Sequence, residues 1–269
     1  MFSFQRAMAG MSEYRKKDQE SFWTWRDLMY RFLDQVRPDD VTAIAAMTFM
    51  EMQKAGYGSV GEFHYVHRQP GGKAYDDTAE LSVHILEAAA ETGIGLTHLP
   101  VLYSYGSVDK TPLSSGQLGF DNTMEQYQQL YERCAHHFRQ LPPDARPGIA
   151  AYFLRAVSAD NLNTLAKEYA DHRLHIHIAE QTKEVEEITA AYGLRPVEWL
   201  LQNQDVSPRW CLIHATNMTY SETRALAQTG ATVGLCPITE ANLGDGVFNG
   251  PQFIFANGIY GIGSDSNIN

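Results

Sequence analysis

Short apolar runs alternate with longer amphipathic segments along this chain. The runs are Gly58–Val66, Ile94–Tyr103, Gly148–Leu154, Leu174–Ala179, Trp210–His214, Ala231–Cys236 and Gly258–Gly263. They are short, often β-branched, and several follow Gly or Pro, the pattern of strands buried in a parallel sheet. The segments between them carry helical patterning: Asp40–Lys54, Thr78–Thr92, Asn122–Gln140, Ala159–Asp171, Thr182–Tyr192 with Pro196–Gln202, and Tyr220–Gln228. Most open on acidic or polar residues and stop at Gly or Pro, as helix boundaries do. The alternation predicts an α/β protein with a parallel sheet. Seven strand candidates are one short of a (β/α)8 barrel, in which reactive groups sit at the C-terminal strand ends. No repeat, low-complexity tract or linker interrupts the pattern, which predicts a single domain over residues 1–269.

The strand ends are where the polar chemistry falls. In Leu174-His175-Ile176-His177-Ile178-Ala179-Glu180, alternation puts both histidines on one strand face, with Glu180 at the exit. An imidazole on a metal, with a carboxylate one step beyond, suits water activation and proton shuttling. A satisfied pair of sheet histidines and an exposed Glu is the other reading. The run ending Ile213-His214-Ala215 delivers a lone histidine, either a hydrogen-bonded core residue or a catalytic one. The last run ends Gly263-Ser264-Asp265-Ser266, where Asp265 serves as a helix cap or as a metal ligand and proton acceptor. If these strands close a barrel, His177, Glu180, His214 and Asp265 converge on one rim, and the set then favours a metal-assisted hydrolase. Nitrogen and oxygen donors with an open position for water suit zinc.

Composition narrows the field. The chain is long enough for one large domain, or two small ones, at 269 residues with 44% hydrophobic positions. No stretch approaches the roughly 18 apolar residues of a membrane span. The first residues lack the pattern of a signal peptide, so a cytoplasmic location is expected. Cys134, Cys211 and Cys236 are sparse, odd in number and in no metal-like spacing, which fits a reducing compartment. A net charge of −11 without a basic run argues against a nucleic-acid partner.

The order His-x-His-x-x-Glu, then a strand-terminal His, then Ser-Asp-Ser resembles the amidohydrolase-superfamily deaminases. Within them, Phe4-Gln5-Arg6-Ala7-Met8-Ala9-Gly10, Ser21-Phe22-Trp23-Thr24-Trp25-Arg26, Glu62-Phe63-His64-Tyr65-Val66-His67 and Thr239-Glu240-Ala241-Asn242-Leu243-Gly244-Asp245-Gly246 are similar to the formimidoylglutamate deiminases, over essentially the whole chain. That resemblance implies a TIM-like metal-dependent hydrolase barrel that converts N-formimino-L-glutamate to N-formyl-L-glutamate and ammonia, a step of histidine breakdown. It implies one zinc per chain held by His177 and Asp265, although iron or manganese would satisfy similar ligands. It assigns proton transfer to Glu180, His214 and Asp265. Gln5, Arg26, Tyr65 and Arg155 match positions that bind a substrate with two carboxylates, a duty for cationic forks and polar donors. Relatives form dimers, so a homodimer is implied as well.

The sequence departs from that family in three places. The His-x-His pair expected just ahead of Phe4 is not present, with Phe2 in the place of its second histidine. Tyr152 stands where relatives have a histidine in Pro-His-Ser-Leu-Arg. The text stops at Asn269, directly after Ser-Asp-Ser. The expectation is therefore a barrel truncated at both ends, lacking its first strand and flanking β-sandwich. Two alternatives follow: a deaminase of another amidine or aminated heterocycle, or a barrel kept as a non-catalytic binding or oligomerising scaffold.

Overall fold

A proline fixes the start of the longest helix in the structure, a computed structural model that describes residues 3–11, 22–139, 141 and 144–265; the side chains of residues 22–27 lie outside that description. Pro38 opens α2 (Pro38–Lys54), which follows α1 (Phe22–Leu33), and Asp39 and Asp40 fill its first turn, where carboxylates suit the helix dipole. The Asp40 carboxylate accepts the Arg37 N–H at 2.9 Å. The chain divides into two compact units. The first holds Met1–Ser104, Leu113–Gly148 and Asp265–Asn269, the second Tyr105–Pro112 and Ile149–Ser264.

In the first unit, β1 (Ser59–His64) and β2 (Gly95–Leu102) run parallel, with Ser59 opposite Gly95 and His64 opposite Pro100. Between them lies α3 (Glu80–Thr92), which Gly93 ends at φ 72°, a left-handed conformation that costs glycine little. Later come α4 (Met124–Phe138), capped by the Thr123 side chain, and β3 (Arg146–Pro147), which pairs with β2. The core joins Val41, Ala45 and Phe49 of α2 to Ile85, Leu86 and Ala89 of α3 over Val60 and Leu96 of the strands. Each of the large side chains there contributes about 1.5–3 kcal/mol through burial, so Phe49→Ala would be strongly destabilising.

The second unit repeats strand and helix: β4 (Ile149–Ala151), α5 (Ala159–Glu168), β5 (Leu174–Ile178), α6 (Thr182–Tyr192), α7 (Pro196–Asn203), β6 (Trp210–His214), α8 (Tyr220–Gln228), β7 (Thr232–Leu235), α9 (Pro237–Leu243), α10 (Gly250–Phe255) and β8 (Ile259–Ile262). Its strands pair in parallel and in chain order, with Ile178 level with His214. Leu174, Ile176, Ile178, Leu212 and Val233 are fully buried, as expected of strands covered on both faces.

The α/β class and parallel strands match the reading of the sequence. The differences have local causes. The run Gly148–Leu154 yields a strand only as far as Ala151, because the chain then turns and Ala156 donates to the Phe153 carbonyl. Helices α9 and α10 span 7 and 6 residues, too few for a 3.6-residue period to declare itself. The run Gly258–Gly263 forms β8 as expected, but all four strand residues are exposed.

Candidate active site

The ends of β5, β6 and β7 gather the reactive side chains of the second unit. Hydrophobic alternation buries Ile176 and Ile178 on one face of β5 and leaves His177 on the other, itself only 4% exposed. The His177 and His214 rings lie with centroids 5.2 Å apart. Burial, and after it the neighbouring His214 ring, holds the His177 imidazole well below its usual range. His177 is thus neutral, the state in which a ring nitrogen accepts a metal or a proton.

Just past these strands the backbone is strained. Ala179, His214 and Ala215 adopt φ of 50°, 67° and 50°, a left-handed conformation that costs non-glycine residues about 1–3 kcal/mol each. Polar clamps hold it. The Glu184 carboxylate, one turn into α6, accepts the Ala179 N–H at 2.9 Å and the Glu180 N–H at 3.0 Å. Asn217 donates its backbone N–H to the Ala179 carbonyl and its side-chain amide to the Glu180 carbonyl. Ala215 donates to the Ile178 carbonyl, so the two strand exits are tied together.

Held this way, the Glu180 carboxylate comes within 3.5 Å of His214 Nε2. On the other side of the ring, His214 Nδ1 lies 3.2 Å from Glu240 Oε1, and the same oxygen accepts the Cys236 N–H at 2.8 Å. Glu240 only accepts, so Nδ1 carries a hydrogen toward it, while Nε2 and Glu180 face each other and share the proton between them. A carboxyl and an imidazole so placed can pass a proton between them.

The structure therefore brings His177, Glu180 and His214 together. Arg155 belongs to the same unit, buried, with its guanidinium 4.7 Å from the Phe153 ring and 5.4 Å from the Tyr152 ring. Gln5 and Tyr65 meet in the first unit, where the Gln5 amide donates to the Tyr65 hydroxyl at 3.3 Å and both reach Met29 Sδ. Asp265 follows β8 at φ 50°, half-buried. The Arg26 side chain and Phe2 lie outside the described residues. Sequence reasoning passed over Glu184, Asn217, Cys236 and Glu240 as working residues. A usable signal was there: a Glu four positions after a strand-end residue, as Glu184 follows Glu180 and Glu240 follows Cys236, reaches back to the strand-end N–H groups.

Zinc asks for three or four donors around one point. His177 provides a buried imidazole, but among the described residues no three His, Cys, Asp or Glu donor atoms close around it. One group does close, and it is a different one: His214, Cys236 and Glu240, whose ligand atoms lie within 4.8 Å of one another. The described residues do not by themselves complete the zinc site that the resemblance implies. No helix among them is long and apolar enough to cross a membrane.

Comparison with known proteins places this geometry. The model of the amidohydrolase family matches residues 9–269. A formimidoylglutamate deiminase of Pseudomonas aeruginosa is 47% identical over 99% of this chain and 58% of its own length. An amidohydrolase from Brucella melitensis superposes with a TM-score of 0.96 at 45% identity, over 100% of this chain and 60% of that one. An adenosine deaminase from Xanthomonas campestris, solved with bound zinc, gives a TM-score of 0.79 at 18% identity, over 99% and 54% of the two chains. The fold is thus that of the amidohydrolase barrels, and the chain spans less than two thirds of the length of these relatives.

Proposed function

Since the chain belongs to the amidohydrolase family, we propose that it acts in the hydrolytic deimination of N-formimino-L-glutamate to N-formyl-L-glutamate and ammonia. The observation that carries this reading is the buried His177, Glu180 and His214 group, with Glu180 3.5 Å from His214 Nε2, in a chain 47% identical to a formimidoylglutamate deiminase. Attack of water on the formimino carbon needs a base for the water, a donor steadying the oxygen, and an acid for the departing nitrogen. Asp265 takes the water proton. His214 steadies the developing oxygen. Glu180 carries a proton to the nitrogen, which leaves as ammonia. Arg155, Arg26, Gln5 and Tyr65 hold the two carboxylates of the substrate.

Zinc belongs to this proposal through His177 and Asp265, with iron or manganese suited to the same donors. The described residues do not by themselves complete its site. A homodimer is likewise part of the proposal. The competing reading is a deaminase of another amidine or aminated heterocycle, favoured by Tyr152, an aromatic 6.0 Å from the His177 ring at the position where the resemblance implies a histidine. Ammonia release separates the two. Release from N-formimino-L-glutamate but not from guanine or adenosine supports the proposal, and the reverse pattern overturns it.

A further inference from the structure

We infer that His214, Cys236 and Glu240 form a pocket for a thiophilic divalent cation, on the Nδ1 side of His214 and separate from the metal position implied for His177. The three donors come from neighbouring segments fixed by strand pairing. His214 ends β6; Cys236 follows β7, which pairs with β6 as far as Ile213 opposite Gly234. Pro237 then starts α9, and one turn of that helix returns Glu240 to the Cys236 N–H. The side chains are 1%, 5% and 5% exposed, and their ligand atoms lie within 4.8 Å of one another.

The donor set is an imidazole nitrogen, a thiolate and a carboxylate, which is three protein ligands and room for a fourth. Sulfur in the set selects softer ions such as zinc and cadmium over magnesium or calcium. The hydroxyls of Thr216 and Thr239, two residues from His214 and one from Glu240, are buried without a hydrogen-bond partner among the described residues. Polar groups in this stretch are thus not all satisfied by protein. Entry of the cation releases the Cys236 thiol proton and displaces the Nδ1 hydrogen, so that His214 binds as a neutral imidazole with its one hydrogen on Nε2, and bonds form from the cation to nitrogen, sulfur and oxygen. The other two cysteines are poor competitors, since burial pushes the Cys134 and Cys211 thiols up to about 12.

Occupancy would replace the hydrogen that Nδ1 gives to Glu240 and so take His214 out of proton transfer. This consequence, inhibition by excess metal, rests on the function proposed above; the pocket does not. The test is cadmium titration of metal-stripped protein, read as the ultraviolet thiolate-to-cadmium band. One cadmium per chain with this band is expected, retained in the Cys134→Ser/Cys211→Ser double variant and in His177→Ala. Cys236→Ser should abolish the band while its thermal melt stays close to wild type, and Glu240→Gln should weaken binding by about 10-fold or more. No band in the wild type, or an unchanged band in Cys236→Ser, would overturn the pocket. Cadmium binding that leaves ammonia release untouched would overturn the inhibitory role, whereas absence of ammonia release altogether would count against the proposed function and leave the spectral result standing.

Discussion

His214 Nδ1 and Glu240 Oε1 sit 3.2 Å apart, with both side chains buried. Glu240 is anchored by the Cys236 N–H, so it fixes the ring from behind and turns Nε2 toward Glu180. The ring's tautomer is set by a residue that need not touch the substrate.

Replacing that anchor should therefore act through His214. Glu240→Gln keeps an acceptor but loses the charge, and about a 10-fold loss of kcat is expected; Glu240→Leu should cost more, approaching the 100-fold or larger effect of losing a positioned acid or base. Nitrogen-15 NMR of His214 provides the check. The wild type should show hydrogen on Nδ1 and Glu240→Leu a mixture, and identical spectra would contradict the assignment.

Glu184 clamps the strained exit of β5, and burial raises its carboxyl from 4.5 to about 7. A folded value above the unfolded one means the protonated form is favoured by folding, so this contribution is full below pH 4.5 and is lost as pH rises through 7. Glu184→Gln should flatten that part of the stability profile. Glu184→Ala leaves two buried N–H groups without their acceptor and should cost about 2–4 kcal/mol, measurable by urea unfolding between pH 4 and 8.

His98 works in the opposite sense in the first unit. It is fully buried, neither ring nitrogen has a hydrogen-bond partner among the described residues, and burial lowers it from 6.5 to about 3. With the folded value depressed, its contribution is present above pH 6.5 and lost as pH falls toward 3. His98→Phe should hold its melting temperature better than wild type between pH 6.5 and 4, and a steeper acid loss in the variant would refute this.

Arg155 stacks on Phe153 and Tyr152, which holds its planar guanidinium in place. Arg155→Lys removes the bidentate geometry but keeps the charge. Steady-state kinetics should show KM for N-formimino-L-glutamate raised about 10-fold or more, with a smaller change in kcat.

Fold class was legible because it rests on periodicity. The run Leu174–Ala179 becomes β5 with Ile176 and Ile178 buried, and Thr182–Tyr192 becomes α6 at both of its expected ends. The meeting of His177, Glu180 and His214 was legible for a related reason, since each lies at or near the end of an apolar run and parallel pairing of neighbouring strands brings those ends together. Glu184 and Glu240 were not. Each lies inside a helix, where sequence alone makes a Glu a solvated side chain, and only the path of the chain between strand and helix, left-handed at Ala179 for Glu184 and with φ -125° at Cys236 for Glu240, returns it to the strand end. Cys236 was not singled out because His214, 22 residues away, is brought near it only by the pairing of β6 with β7, and Glu240 by the first turn of α9.

The most direct measurement is ammonia release from N-formimino-L-glutamate by zinc-reconstituted protein, wild type against Glu180→Gln and Asp265→Ala. The account predicts turnover in the wild type, a fall of about 10²- to 10⁴-fold in kcat for Glu180→Gln with KM little changed, and no detectable turnover for Asp265→Ala. Absence of ammonia from the wild type, or full activity in Glu180→Gln, would contradict it.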